Sequence, residues 1–208
     1  MNNPLIKVIS VLLFVLLPSA VAAVTMVEQP DSFALGQWDE VVTQQTYYGE
    51  LESWPHTFEF TVTATTTLEL QVAARPDESR VSVLVVRQEE RGVSEIIRQT
   101  ARDTVYRKER DRLHGINLEV APVLTVEIGP GTYRAEVSNP NNIGKYQLTV
   151  GTELASNGYW QTVQNTFAIH SFYGSWVTAL LAWRVAVLWL GVLILLRVWR
   201  KRRLKSHA

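Results

Sequence analysis

The side chains that could do chemistry are few, and their spacing argues against an active site. Four histidines occur, at His56, His114, His170 and His207, and no two of them have the i, i+3 or i, i+4 spacing at which two imidazoles converge on one metal ion. Two carboxylate pairs stand out, Asp39 with Glu40 and Glu89 with Glu90. Either pair could feed a calcium site or an acid-base pair, but adjacent residues of a strand point to opposite faces, so solvated surface is the expectation. There is no cysteine. That removes disulfides, thiolate nucleophiles and zinc-thiolate sites together. No G-x-S-x-G elbow, P-loop or G-x-G-x-x-G is present. The expectation is a chain with no catalytic, cofactor-binding or metal-binding residues and no cofactor.

The residues with a strong functional signal are instead basic ones placed around an apolar run. Trp176 to Leu196 is almost uncharged, and 21 residues span about 31 Å as a helix, the thickness of a bilayer's hydrocarbon core. Arg197, Arg200, Lys201, Arg202 and Arg203 follow with no acidic residue among them. They are expected to determine topology by holding the C-terminus in the cytoplasm. Arg184 lies inside the run, where a charge costs about 3 kcal/mol. It either snorkels outward beside Trp183 or makes an intramembrane contact with a carboxylate of another membrane protein.

The N-terminus is consistent with that topology. Lys7, the apolar stretch Val8 to Leu17, the helix breaker Pro18 and the small residues Ser19 to Ala23 follow signal-peptide order, with cleavage expected after Ala22 or Ala23. Read the other way, Leu5 to Val24 is an uncleaved anchor. Both readings put the middle of the chain outside the cytoplasm. Basic and acidic residues are equal in number over the whole chain, 20 of each. Between Ala23 and Gly174, however, twelve basic residues face all twenty acidic ones, a net charge near −8. Nucleic acid is not an expected partner of such a segment, since affinity for phosphate backbones comes from Lys and Arg. An exported domain without disulfides suits a bacterium better than a eukaryotic secretory route.

The segment that must carry any function reads as β-structure. Phe58, Phe60 and Val62 alternate with polar residues, and the same period returns at Leu68, Leu70, Val72; at Val81, Val83, Val85; at Leu118, Val120; and at Leu124, Val126, Ile128. Pro130 to Gly151 reads as two strands joined at Ser138 to Gly144 into a hairpin with matching apolar faces. The charged stretch Ala101 to His114 reads as a solvated loop or exposed edge strand, or else as a docking surface for a charged partner. Beyond Gly151, Trp160, Val163, Phe167, Ile169 and Phe172 suit a short amphipathic helix that lies in the headgroup region or packs under the domain.

The text Gly131-Thr-Tyr-Arg-Ala-Glu-Val137, followed by Gly144-Lys-Tyr-Gln-Leu-Thr-Val150, resembles the closing strands of bacterial pre-peptidase C-terminal domains. The strand Thr57-Phe-Glu-Phe-Thr-Val62 fits them too. The resemblance covers roughly 44 to 151 and implies a small jelly-roll-like β-sandwich with a noncatalytic binding or accessory role. The order of parts is also similar to that of eukaryotic cargo receptors with a Golgi-dynamics (GOLD) domain, although the disulfide and long coiled coil of those proteins are missing. The expected fold is mainly β: a small antiparallel sandwich, then a short amphipathic helix and one C-terminal transmembrane helix. In numbers, 1–23 is a signal peptide, 24–43 a lead-in, 44–153 the sandwich, 154–175 the membrane-proximal linker, 176–199 the membrane helix and 200–208 the cytoplasmic tail. The expected function is a single-pass, extracytoplasmic binding or scaffolding module for a protein or glycan ligand. A cargo-sorting receptor and a carboxylate-dependent hydrolase are the alternatives.

Overall fold

The computed structural model describes residues 19–20, 23–26, 35–38, 40–153, 156–174, 176–182, 185–187, 189–194 and 196–197. In chain order the strands are β1 (Ser19–Ala20), β2 (Ala23–Met26), β3 (Gly36–Gln37), β4 (Gln45–Glu52), β5 (His56–Val62), β6 (Thr66–Ala74) and β7 (Ser82–Glu89). They continue as β8 (Gly92–Gln99), β9 (Arg107–Asp111), β10 (Ile116–Val120), β11 (Leu124–Ile128), β12 (Gly131–Ser138), β13 (Ile143–Val150) and β14 (Ser156–Asn157). An α-helix, α1 (Tyr159–Phe172), and a 3-10 helix, Trp176–Leu181, follow. The chain divides into two compact units. One comprises Ala20–Arg110 and Asn117–Ser156, the other Asp111–Ile116 and the described residues from Asn157 onward.

The first unit is a β-sandwich. Its larger sheet runs β2-β4-β13-β6-β10-β9, with β11 also paired to β6, and its smaller sheet runs β3-β5-β12-β7-β8. Most pairings are antiparallel, while the short lead-in strands β2 and β3 pair parallel to β4 and β5. Alternation in sequence becomes alternation in burial: along β5, His56, Phe58, Phe60 and Val62 are buried while Thr57, Glu59 and Thr61 are not. Phe58, Phe60, Leu68, Leu70, Val72, Val83, Val85, Tyr133, Ala135, Val137, Tyr146, Leu148 and Val150 form one core cluster drawn from both sheets. Trp38 stacks on Phe58 and Phe60 at ring separations of 5.2 and 5.1 Å, closing the core where the lead-in joins it.

One expectation is corrected. Pro130 to Gly151 is not a hairpin, because β12 pairs with β5 and β7 in the smaller sheet and β13 pairs with β4 and β6 in the larger one. The apolar faces of β12 and β13 match because they look at each other across the core rather than lying side by side. The connection that turns the chain from one sheet to the other is organised by Asn139. Its Oδ1 accepts from the backbone N–H of Asn141 and Ile143, and its Nδ2 donates to Ile143 O. Asn142 takes a left-handed φ of +46°, which asparagine tolerates better than most residues.

A second irregularity lies in β8. Val85 pairs with Ile97 and Val86 with Glu95, so Ile96 is an extra residue, a β-bulge. It lets the consecutive residues Ile96 and Ile97 both pack on the core.

Candidate functional site

The second unit is built on α1. Its buried residues Tyr159, Thr162, Val163, Thr166, Ile169 and His170 recur at helical spacing, but half of that stripe is polar. The threonines satisfy themselves on the helix backbone: Thr162 Oγ1 donates to Gly158 O at 3.1 Å and Thr166 Oγ1 to Thr162 O at 2.8 Å. His170 reaches out of the helix. Its Nε2 lies 2.7 Å from His114 O and its Nδ1 2.6 Å from Thr178 Oγ1. A carbonyl only accepts, so Nε2 carries the proton; in the neutral ring Nδ1 then accepts from the Thr178 hydroxyl. One imidazole thereby ties together α1, the turn Asp111–Ile116 and the 3-10 helix.

The turn has its own polar lock. Asp111 Oδ1 accepts from the backbone N–H of Leu113 and His114 at 2.8 and 3.1 Å, and Asp111 Oδ2 lies 2.6 Å from His114 Nδ1. Burial pushes the Asp111 carboxyl up, but the hydrogen bond and charge of His114 and the two backbone donors outweigh it, holding the group below the ordinary aspartate value. Among the described residues His114 Nε2 is buried without a hydrogen-bond partner.

Past the 3-10 helix, residues 185–187, 189–194 and 196–197 are helical. Their large apolar side chains face outward: Trp189, Leu190, Leu193 and Leu196 are 50, 58, 59 and 51 % exposed. Val192 and Ile194 are exposed as well, as are Trp176 and Val177 at the start of the segment. Large apolar side chains exposed in such number mark a contact with a partner or with lipid. Arg197 follows it and is exposed. Among the described residues no helix is long and apolar enough to cross a membrane; the expected span 176–199 begins as a 3-10 helix. Arg184, Arg200, Lys201, Arg202 and Arg203 lie outside the described residues, as do His207, Asp39 and all of 1–18 from the expected signal peptide.

The other residues flagged for chemistry do not converge. His56 is buried in the sandwich beside Tyr146, and Glu40, Glu89 and Glu90 are exposed. Among the described residues no group of three or more His, Asp or Glu could hold a metal ion. The polar lock of Asp111, His114, His170 and Thr178 was not legible in advance: its members are 3, 56 and 8 positions apart, and one of the contacts is to backbone.

No protein-family model and no curated protein matches the chain. Among solved structures the chain is similar to the pre-peptidase C-terminal domain of collagenase from Bacillus anthracis. That likeness has 13 % identity and a TM-score of 0.36, and it covers 58 % of this chain and 96 % of that one. Similarity at that level carries no inference about activity or family membership.

Proposed function

We propose that the chain is a membrane-anchored, noncatalytic module whose β-sandwich stands on the extracytoplasmic side and binds or scaffolds a protein or glycan there. The observation that supports the anchor is the outward-facing apolar set from Trp189 to Leu196. Each large apolar side chain taken fully out of water gains about 1.5–3 kcal/mol, so these six, about half exposed, together favour a lipid environment by roughly 4–9 kcal/mol. The basic cluster from Arg197 onward then selects the cytoplasm for the C-terminus. Under this reading Arg184 is the residue that contacts another membrane protein, and Arg184→Leu abolishes co-purification of that protein.

The deciding experiment is alkaline extraction of membranes, followed by protease treatment of intact cells. The full chain is expected to stay with the membrane pellet, with the sandwich digested from outside and the arginine-rich tail protected. A chain that remains soluble at high concentration without detergent, or a tail digested while the sandwich survives, rejects the proposal.

A further inference from the structure

Three connections meet at one end of the sandwich. The registers bring the end of β4 beside the start of β13, and the end of β12 beside the starts of β5 and β7. The turn 53–55, the loop 75–81 and the connection 139–142 therefore share that end. Two hydrogen bonds tie them together. Ser53 N–H donates to Asn142 O at 2.6 Å, and Lys145 N–H donates to Glu78 Oε2 at 3.0 Å. Among the described residues Ser53, at φ +71°, and Asn142, at φ +46°, are the two that take a left-handed backbone without being glycine. The bond thus joins the two places where the chain is held away from its preferred conformations, at a cost on the order of 1 kcal/mol each. Such outliers persist where the surroundings fix them, and they gather at ligand clamps.

The two strained residues each precede a large exposed side chain. Trp54 follows Ser53 and is 52 % exposed, and Ile143 follows Asn142 and is 60 % exposed. Ile143 faces Glu52 across the β4–β13 ladder, so their side chains share one face, and Glu52 and Asn141 are exposed beside them in sequence. The end therefore offers a flat apolar ring and one aliphatic neighbour, flanked by a carboxylate that accepts hydrogen bonds and a carboxamide that both donates and accepts. The basic residues of these loops are committed: Arg75, Arg80 and Lys145 meet carboxylates at 3.0, 2.8 and 3.6 Å. Among the described residues Glu52 joins no ion pair. A negatively charged ligand finds no spare cation there and meets the Glu52 carboxylate.

Resting on the binding reading above, we infer that this end of the sandwich is a site for a neutral oligosaccharide, one sugar ring lying on the Trp54 indole and its hydroxyls hydrogen-bonded by Glu52 and Asn141. A pyranose has the matching chemistry, with a face of C–H groups for the indole and a rim of hydroxyls that each donate and accept. An exposed indole buries a large rigid area at little entropic cost, and loops held on a rigid scaffold are where binding residues concentrate. A partner protein needs a broader apolar surface than Trp54 and Ile143 supply.

The full chain, kept in a detergent without a sugar headgroup, is applied to an array of neutral, sialylated and sulfated oligosaccharides, and calorimetry then measures its affinity for the neutral glycan best retained. Binding is expected to neutral glycans alone. Trp54→Ala is expected to weaken it about tenfold or more, Trp54→Tyr to keep most of it, and Asn141→Ala, at an exposed turn position, to weaken it with an unchanged melting temperature. An array on which no neutral glycan is retained, or binding that survives Trp54→Ala, overturns this inference and leaves a binding module acting elsewhere on its surface. Retention of polylysine instead, lost in Trp54→Ala, assigns the indole to a cationic partner and likewise overturns it. A glycan recovered in shortened form overturns the noncatalytic reading and this inference with it.

Discussion

Tyr146 Oη and His56 Nδ1 share a hydrogen bond of 2.8 Å, joining β13 of the larger sheet to the first residue of β5 in the smaller one. The two rings meet edge-on at 5.6 Å. Burial pushes the Tyr146 phenol far above its ordinary range and lowers the His56 pKa, with the charge of Glu52 opposing the latter. Both rings are therefore held neutral, and the bond joins two uncharged groups. Tyr146→Phe removes the link and orphans His56 Nδ1, a loss of about 1–3 kcal/mol. Urea denaturation of the full chain in detergent reads it as a lower midpoint at unchanged slope.

The same pair sets a pH dependence. The His56 pKa in the fold lies below its ordinary value of 6.5, so the unfolded chain binds the proton more readily. Its contribution is complete above that value and is lost as pH falls through the folded-state pKa, with a slope of at most about 1.4 kcal/mol per pH unit. Asp111, lowered from 3.8, adds a second loss further into acid by the same sign. Denaturation midpoints from neutral to acid pH are expected to fall in two stages, with His56→Gln removing the upper stage alone.

Gly49 faces Tyr146 across the β4–β13 ladder, and a Cβ built on it would sit 2.6 Å from the phenol ring. The ring cannot swing aside, since it is fully buried and bonded at its tip. Gly49→Ala is expected to cost about 1–3 kcal/mol by overpacking. Gly129→Ala, where an added Cβ meets nothing within 4 Å, serves as the control, and thermal melting separates the two.

In the helical unit, His170→Ala strips one partner from His114 O and another from Thr178. Among the described residues the turn then keeps the hydrogen bonds to Asp111. Amide exchange at Leu113 and His114 is expected to quicken about tenfold or more, with amides of β5 and β12 unchanged.

How much of this was legible in sequence depended on whether a signal was local. Period-two alternation located β5 from His56 to Val62 without error, because one of its faces is buried and the other is not. It failed for β4, where Thr46, Tyr47, Tyr48 and Gly49 are buried in succession and no alternation survives. The partner of β12 was misjudged for a related reason. An apolar face records that a strand meets a core, and says nothing of which sheet it joins. The His170 lock had no sequence signal, being made of a backbone carbonyl and residues distant along the chain. The cationic stretch from Arg102 to Arg112 was visible as charge, but the strand Arg107–Asp111 within it carries no alternation of apolar residues to mark it.

The positions of β12 and β13 govern when this sandwich can form. Each is an interior strand, β12 lying between β5 and β7 and β13 between β4 and β6. A nascent chain ending before Gly131 therefore has both sheets split down the middle, with raw edges where the closing strands belong. Collapse must wait until Val150 has been made, and the loops then closed are long, which slows nucleation. Before that point only partial pairings, such as β7 with β8 and β6 with β11, are open to the emerging polypeptide.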